Sequence, residues 1–242
     1  MPDENVVLVI RPRNCHYCGN GFYALGHLVD SIKANNIDVV DLAGQDAIKE
    51  RVTQAIEKYN PDIVLSFGHG SPFVYTAENE KIVFDKNNID ILANRIWHTL
   101  SCLVGQKLGM EMVECGGLAF SGYNESWYWV AEDVNQDAYK DKYAKYFFDA
   151  DNTIAFILAV TKNVAEAYRA GHDKYNQYID YWLQNPDDDE YASEIAKWLI
   201  WDRDACVYYY EYARLKVSPL LPLAIMGLPV VLGLAVSRWE HE

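Results

Sequence analysis

The sequence predicts an α/β fold, a three-layer α-β-α sandwich on a mostly parallel sheet of six strands. Short aliphatic runs alternate with amphipathic stretches as β-α-β-α-β from Val6 to His69, the order that parallel strands with right-handed crossovers require. Val6 to Ile10 is apolar throughout rather than alternating, as a strand covered on both faces must be. Two further runs end on residues able to do nucleophilic chemistry: Ile63-Val64-Leu65-Ser66-Phe67-Gly68-His69-Gly70 and, with its cysteine 33 residues after that histidine, Ile96-Trp97-His98-Thr99-Leu100-Ser101-Cys102. On neighbouring parallel strands, His69 and Cys102 emerge together at the carboxyl edge of the sheet, where open α/β folds place their sites.

Each element has its own warrant. Arg11-Pro12 closes the first strand, and the loop Asn14-Cys15-His16-Tyr17-Cys18-Gly19-Asn20-Gly21 leads into a helix near Phe22 to Ala34. Asp38 to Leu42 is the second strand. A helix at about Gln45 to Tyr59 places Ile48, Val52, Ala55, Ile56 and Tyr59 near helical spacing. Pro61-Asp62 opens the third strand, which ends at His69. Phe73 to Thr76 and Lys81 to Asp85 flank Glu78-Asn79-Glu80 as a small hairpin over the sheet edge. A turn near Ile89 to Ala93 precedes the fourth strand, Arg95 to Ser101. Leu103 to Cys115 reads as a helix ended by Gly116-Gly117, and Leu118 to Tyr123 as the fifth strand. After a polar insertion, Lys140 to about Gln184 reads as one long helix with Ile154, Ile157, Leu158, Val164, Ala165 and Tyr168 among its apolar positions. The cluster Asp187-Asp188-Asp189-Glu190 suits the first turn of the next helix, where the macrodipole is positive. Glu194 to Ile200 continues that helix, and Ala205 to Tyr210 is the sixth strand.

Composition narrows the class of function. Half of the 242 residues are hydrophobic, ample for a two-sided core, and the formal charge of −14 argues against a nucleic-acid footprint, which needs clustered Lys and Arg. Five cysteines, an odd number, with no basic and apolar leader before the first strand, suit a reducing cytoplasmic setting. The segment Val217 to Val236 leaves two readings open. Its 20 residues carry no charge and are flanked by Lys216 and Arg238, long enough to cross a bilayer as a helix. Pro219, Pro222 and Pro229 suit a packed tail equally well. The chain thus divides into a folded domain over 1–215 and a hydrophobic tail over 216–242, a membrane anchor on the first reading.

A thiol attacks a carbonyl carbon as thiolate, so a nucleophilic cysteine needs an imidazole or a helix N-terminus beside it. The spacing offers Cys102 both: His69 on the adjacent strand and the helix expected from Leu103. Gly70, without a side chain, leaves its N–H open, and the N–H groups of Gly70 and Cys102 are candidate oxyanion donors. Taken singly, Cys102 suits a buried core thiol and His69 an ordinary strand-end histidine. The pairing on successive strand ends is what points to chemistry.

Phe67-Gly68-His69-Gly70-Ser71 followed by Leu100-Ser101-Cys102 resembles the pattern of the clan CD cysteine peptidases, the caspase, metacaspase, legumain, separase and gingipain group. The hairpin after the histidine, the run Cys115 to Tyr123 and the segment Trp198 to Val207 are closest to gingipain-like prokaryotic members, over roughly Val6 to Leu215. The resemblance implies a caspase-like fold and a cysteine endopeptidase in which Cys102 is the nucleophile, His69 the general base and acid, and Gly70 an oxyanion donor. It implies a protein or peptide substrate and no cofactor or metal. Members cleave after Asp, Arg, Lys or Asn according to pocket charge. Here Glu125, or the nearby Glu132 and Asp133, offers an acidic pocket for Arg or Lys, and Trp127 with its aromatic neighbours offers subsite walls; the alternative is a solvated loop for the carboxylates and packing on the sheet for the aromatics. One departure is Tyr208-Tyr209-Tyr210-Glu211-Tyr212 where gingipain-like chains often carry a Gly-Asp pair, which bears on the last strand.

Cys15-His16-Tyr17-Cys18 has the spacing of zinc and redox sites, but a structural zinc needs four ligands and no second pair follows. It reads as a loop beside the active-site edge. His98 reads as packing on one face of the sheet, and His27 and His172 as structural residues of helices. Two other classes of function stand against the peptidase: a non-catalytic module that keeps the fold as a scaffold or partner-binding surface, and a flavodoxin-like binding domain. The latter is disfavoured because Arg11-Pro12-Arg13-Asn14 stands where a Gly-rich phosphate loop would follow the first strand.

Overall fold

The computed structural model describes residues 5–187 and 189–210. In chain order the elements are β1 (Val6–Arg11), α1 (Gly19–Ala34), β2 (Asp38–Ala43), α2 (Lys49–Tyr59), β3 (Ile63–Phe67), β4 (His69–Gly70), β5 (Val74–Thr76), β6 (Ile82–Asp85) and β7 (Ile96–Leu100). There follow α3 (Leu108–Glu114), β8 (Ala119–Tyr123), α4 (Ala144–Thr161), α5 (Val164–Gln184), α6 (Ala192–Ala205) and β9 (Cys206–Tyr210). The main sheet has the order β2-β1-β3-β7-β8-β9, parallel except for β9, which runs antiparallel to β8. The α/β class and the six-stranded, mostly parallel sheet match the expectation.

Alternation along the central strands makes the three layers. Val7 and Val9 of β1, with Ile63, Leu65 and Phe67 of β3, face one apolar cluster shared with α1, α4, α5 and α6. Leu8 and Ile10, with Val64 and Trp97, face the other, shared with α2, α3 and the small hairpin. Burying both faces is why these strands read as unbroken aliphatic runs. Arg11 ends β1 with a fork onto Asp41 of β2, each N–O distance 2.7 Å, and stacks on Phe22.

Four expectations are corrected. The single helix from Lys140 to Gln184 is a pair, because Lys162 takes a left-handed φ of 55° and the Asn163 side chain then accepts from the Glu166 N–H at 3.1 Å. That cap starts a new helix without any Gly or Pro to announce the break. The helix expected from Gln45 begins at Lys49, after a 3-10 turn over Gly44–Asp46. The helix expected from Leu103 begins at Leu108, after a 3-10 turn over Val104–Gln106. The third strand stops at Phe67, and His69-Gly70 opens a second sheet, antiparallel in the order β4-β5-β6. The tyrosine-rich last strand forms, with Tyr209 Oη donating to the Gly105 carbonyl at 2.7 Å. Among the described residues no helix is long and apolar enough to cross a membrane. The segment Val217 to Val236 lies outside them.

His172 on α5 stacks against Tyr168 with ring centroids 4.0 Å apart. Burial, with the Arg203 charge adding to it, lowers its pKa to about 4. The unfolded chain therefore binds more protons than the folded one as the pH drops below the ordinary histidine value. Stability is complete above about pH 6.5 and declines toward pH 4. Between pH 7 and pH 5 this group should cost about 1–2 kcal/mol after allowing for partial exposure, and urea unfolding should show that loss shrink in His172→Gln.

Candidate active site

Three strand ends meet at one edge of the sheet. β1, β3 and β7 are consecutive neighbours, so the loop leaving β1, the His69 segment leaving β3 and the Cys102 turn leaving β7 stand side by side. Phe67 and Leu100 are register partners, and His69 and Cys102 each lie two residues beyond that rung. The rung is extended by the Gly68 N–H, which donates to the Leu100 carbonyl at 3.3 Å. Gly70 lies directly on the Cys102 turn: a side chain there would collide with Val104 and the Cys102 carbonyl oxygen and press within 3.2 Å of the Ser101 Cβ. Only glycine permits that approach.

The half-buried His69 imidazole is fixed from the β1 loop. Its Nε2 lies 2.8 Å from the carbonyl oxygen of His16. A carbonyl only accepts, so Nε2 carries the proton and, in the neutral ring, Nδ1 holds the lone pair. The carbonyl is held in turn by a tightly tied loop. Tyr17 sits at a left-handed φ of 61°, Cys18 N–H donates to the Cys15 carbonyl at 3.3 Å, and Cys15 and Cys18 are joined as a disulfide. The fully buried Glu78, from the turn joining β5 to β6, accepts the N–H groups of Arg13 at 2.7 Å and Asn14 at 3.0 Å. Asn79 N–H returns a bond of 2.7 Å to the Asn14 carbonyl. The hairpin thereby clamps the loop that orients His69.

Cys102 is half-buried, and its Sγ accepts from the Trp127 N–H at 3.4 Å. Burial pushes the thiol pKa up, the Trp127 N–H opposes that, and the Asp202 carboxyl adds to the rise. The residue after it, Leu103, has a φ of 65°, a conformation that costs a leucine on the order of 1 kcal/mol and is characteristic of sharply turned functional segments. Its N–H donates to the Glu125 carbonyl at 3.1 Å, which holds the turn. The following helix starts only at Leu108, so the helix N-terminus expected directly behind Cys102 is not there.

The remaining expected residues are spread around this centre. Glu125 is exposed and anchored beside the Leu103 turn. Trp127 presents its backbone N–H to the sulfur, while its indole is buried against Phe148 and donates to Tyr175 Oη at 3.2 Å. Asp133 is exposed; its carbonyl accepts from Asn20 at the start of α1, which puts it on the rim next to the Cys15–Cys18 loop. His98 is buried, facing α4 rather than merely packing, with Nε2 3.3 Å from Asp151. Tyr123 Oη donates to the same carboxylate at 2.7 Å and contacts Tyr175 Oη at 3.0 Å. Asp202, also buried, accepts the Tyr128 N–H at 3.0 Å, and desolvation raises its pKa well above the usual carboxylate range. His27 is a surface residue 3.0 Å from Asp137. The sequence carries no local signal for Glu78, the His16 carbonyl or Asp202, because each acts through a partner distant along the chain.

No protein-family model matches the chain, and no curated protein matches it.

Replacing the Glu78 carboxylate by an amide of the same shape removes its charge-assisted acceptors. Glu78→Gln should lose about 1–3 kcal/mol in urea unfolding, whereas a loss below about 0.5 kcal/mol would mean that the hairpin does not hold the loop.

Proposed function

We propose that the chain is a cysteine endopeptidase of caspase-like, gingipain-like type acting through a His69/Cys102 dyad. The observation that carries this reading is the placement of both residues two positions beyond one strand rung, with Nε2 of His69 committed to the His16 carbonyl and Nδ1 left basic. In the reaction Nδ1 takes the thiol proton as Sγ attacks the scissile carbonyl. The resulting imidazolium gives that proton to the leaving amine. Water, deprotonated by the same nitrogen, then releases the acid and restores the thiol. The N–H groups of Gly70 and Cys102 serve the oxyanion. The substrate is a protein or peptide. A preference for Arg or Lys at the cleaved bond is supported by the net charge of −14 and by Glu125 and Asp133 on the rim.

Because the thiol is raised by burial, its free thiolate is scarce at neutral pH and grows as pH rises. An electrophilic peptide probe should nevertheless label the native protein near pH 7, lose that labelling in Cys102→Ala, and react at least about 100-fold more slowly with His69→Ala, the latter recovering only at alkaline pH. Equal labelling of Cys102→Ala would remove Cys102 as nucleophile. An Arg reporter peptide should be cleaved in preference to an Asp one, and equal cleavage would end the assignment of basic specificity.

One observation favours a second reading, a non-catalytic module with this fold: the Cys102 thiol is half-buried and raised, as an inert core cysteine would be. It predicts that His69→Ala leaves probe reactivity unchanged.

A further inference from the structure

The C-x-x-C loop falls short of a metal site in the sequence for want of further ligands, and the structure supplies one from another strand. The sulfurs of Cys15 and Cys18 and a ring nitrogen of His69 all lie within 4.8 Å of one another. The order β1-β3 in the sheet is what brings together residues so far apart along the chain. Ligands bound at about 2.0–2.3 Å around one tetrahedral ion stand about 3.5–3.8 Å apart, so movements of about 1 Å suffice. Cys15 and His69 are only half-buried and the residues between the cysteines are exposed, so the loop has room to make them. Two thiolates and an imidazole are a ligand set that selects zinc-class cations over magnesium or calcium.

We propose that Cys15, Cys18 and His69 form a redox-gated binding site for a zinc-class divalent cation. As the disulfide, the two sulfurs have no thiolate to offer. A dithiol reductant breaks the sulfur–sulfur bond by giving up two electrons and two protons, and leaves as its own disulfide. The cation then displaces both thiol protons and takes the imidazole lone pair, with the fourth tetrahedral position left to solvent. The ligation occupies the same side chain that the dyad needs, so the metal-loaded state is the inactive one; a small-molecule disulfide that takes the two electrons, and with two protons leaves as two thiols, re-forms the Cys15–Cys18 bond, expels the cation and restores the base. This consequence rests on the peptidase reading; the site itself does not.

The test is native mass spectrometry of the full chain with one equivalent of Zn²⁺, followed by a chelator challenge and by the rate of probe labelling at Cys102. The reduced protein should retain one zinc. Retention should drop at least 10-fold in the oxidised protein and in Cys15→Ser/Cys18→Ser, and labelling of the reduced wild-type protein should slow at least 10-fold with zinc. To separate metal loss from unfolding of the serine variant, His69→Gln, with the loop cysteines intact, should also lose zinc while keeping its circular dichroism spectrum. Equal retention by the oxidised protein, or by either variant, overturns the site. Retention in the reduced protein with no slowing of Cys102 labelling overturns the gate. Absence of Cys102 labelling in every state would count against the peptidase reading instead, and the zinc stoichiometry would still decide the site.

Discussion

The parallel pairing of β1, β3 and β7 is the constraint on which the rest depends. Continuous backbone ladders fix Ile10 against Ser66 and Phe67 against Leu100, and both faces of these strands are covered by apolar clusters. A slip of one residue would turn each strand's buried sets to opposite faces and would also shift the His69 segment along the edge relative to the Cys102 turn. Packing and site geometry are therefore fixed by the same ladder. The helices supply the burial that makes this register the stable one, and α6 also carries Asp202, whose carboxyl adds to the rise of the Cys102 thiol.

On that frame, the site is held by backbone groups more than by side chains. His69 is oriented by the carbonyl of His16, the Cys102 sulfur by the N–H of Trp127, and the turn after it by the carbonyl of Glu125. The buried carboxylate of Glu78 secures the loop behind the imidazole. The strained turn at Leu103 is stabilised by the same logic, through its hydrogen bond to a loop that β8 positions.

The sheet was legible because its central strands are buried on both faces, and an unbroken aliphatic run such as Val6 to Ile10 suits a central strand far better than a surface one. The position of Cys102 just beyond a buried strand was legible for the same reason, whereas His69, read as the end of the third strand, opens the separate strand β4. Helix starts were less so. The break at Lys162 depends on a left-handed residue other than glycine, and the late start at Leu108 on a 3-10 turn entered through the left-handed Leu103; neither carries a compositional mark. Least legible were contacts across the sheet edge: Glu78 on Arg13 and Asn14, and His69 beside Cys15 and Cys18, are joined only through strand order. His98 alternates with Trp97 in the sequence, but its partner Asp151 is set by the packing of α4, which no local pattern encodes.

That strand register delivers a thiol and an imidazole to one point is tested most directly by a crystal structure of the protein after reaction with an electrophilic peptide. The expected result is an adduct on Cys102 with Nδ1 of His69 within about 4 Å of the sulfur, close enough for proton transfer as the complex tightens. An adduct on another cysteine, or a sulfur-to-imidazole separation beyond about 6 Å, would contradict it.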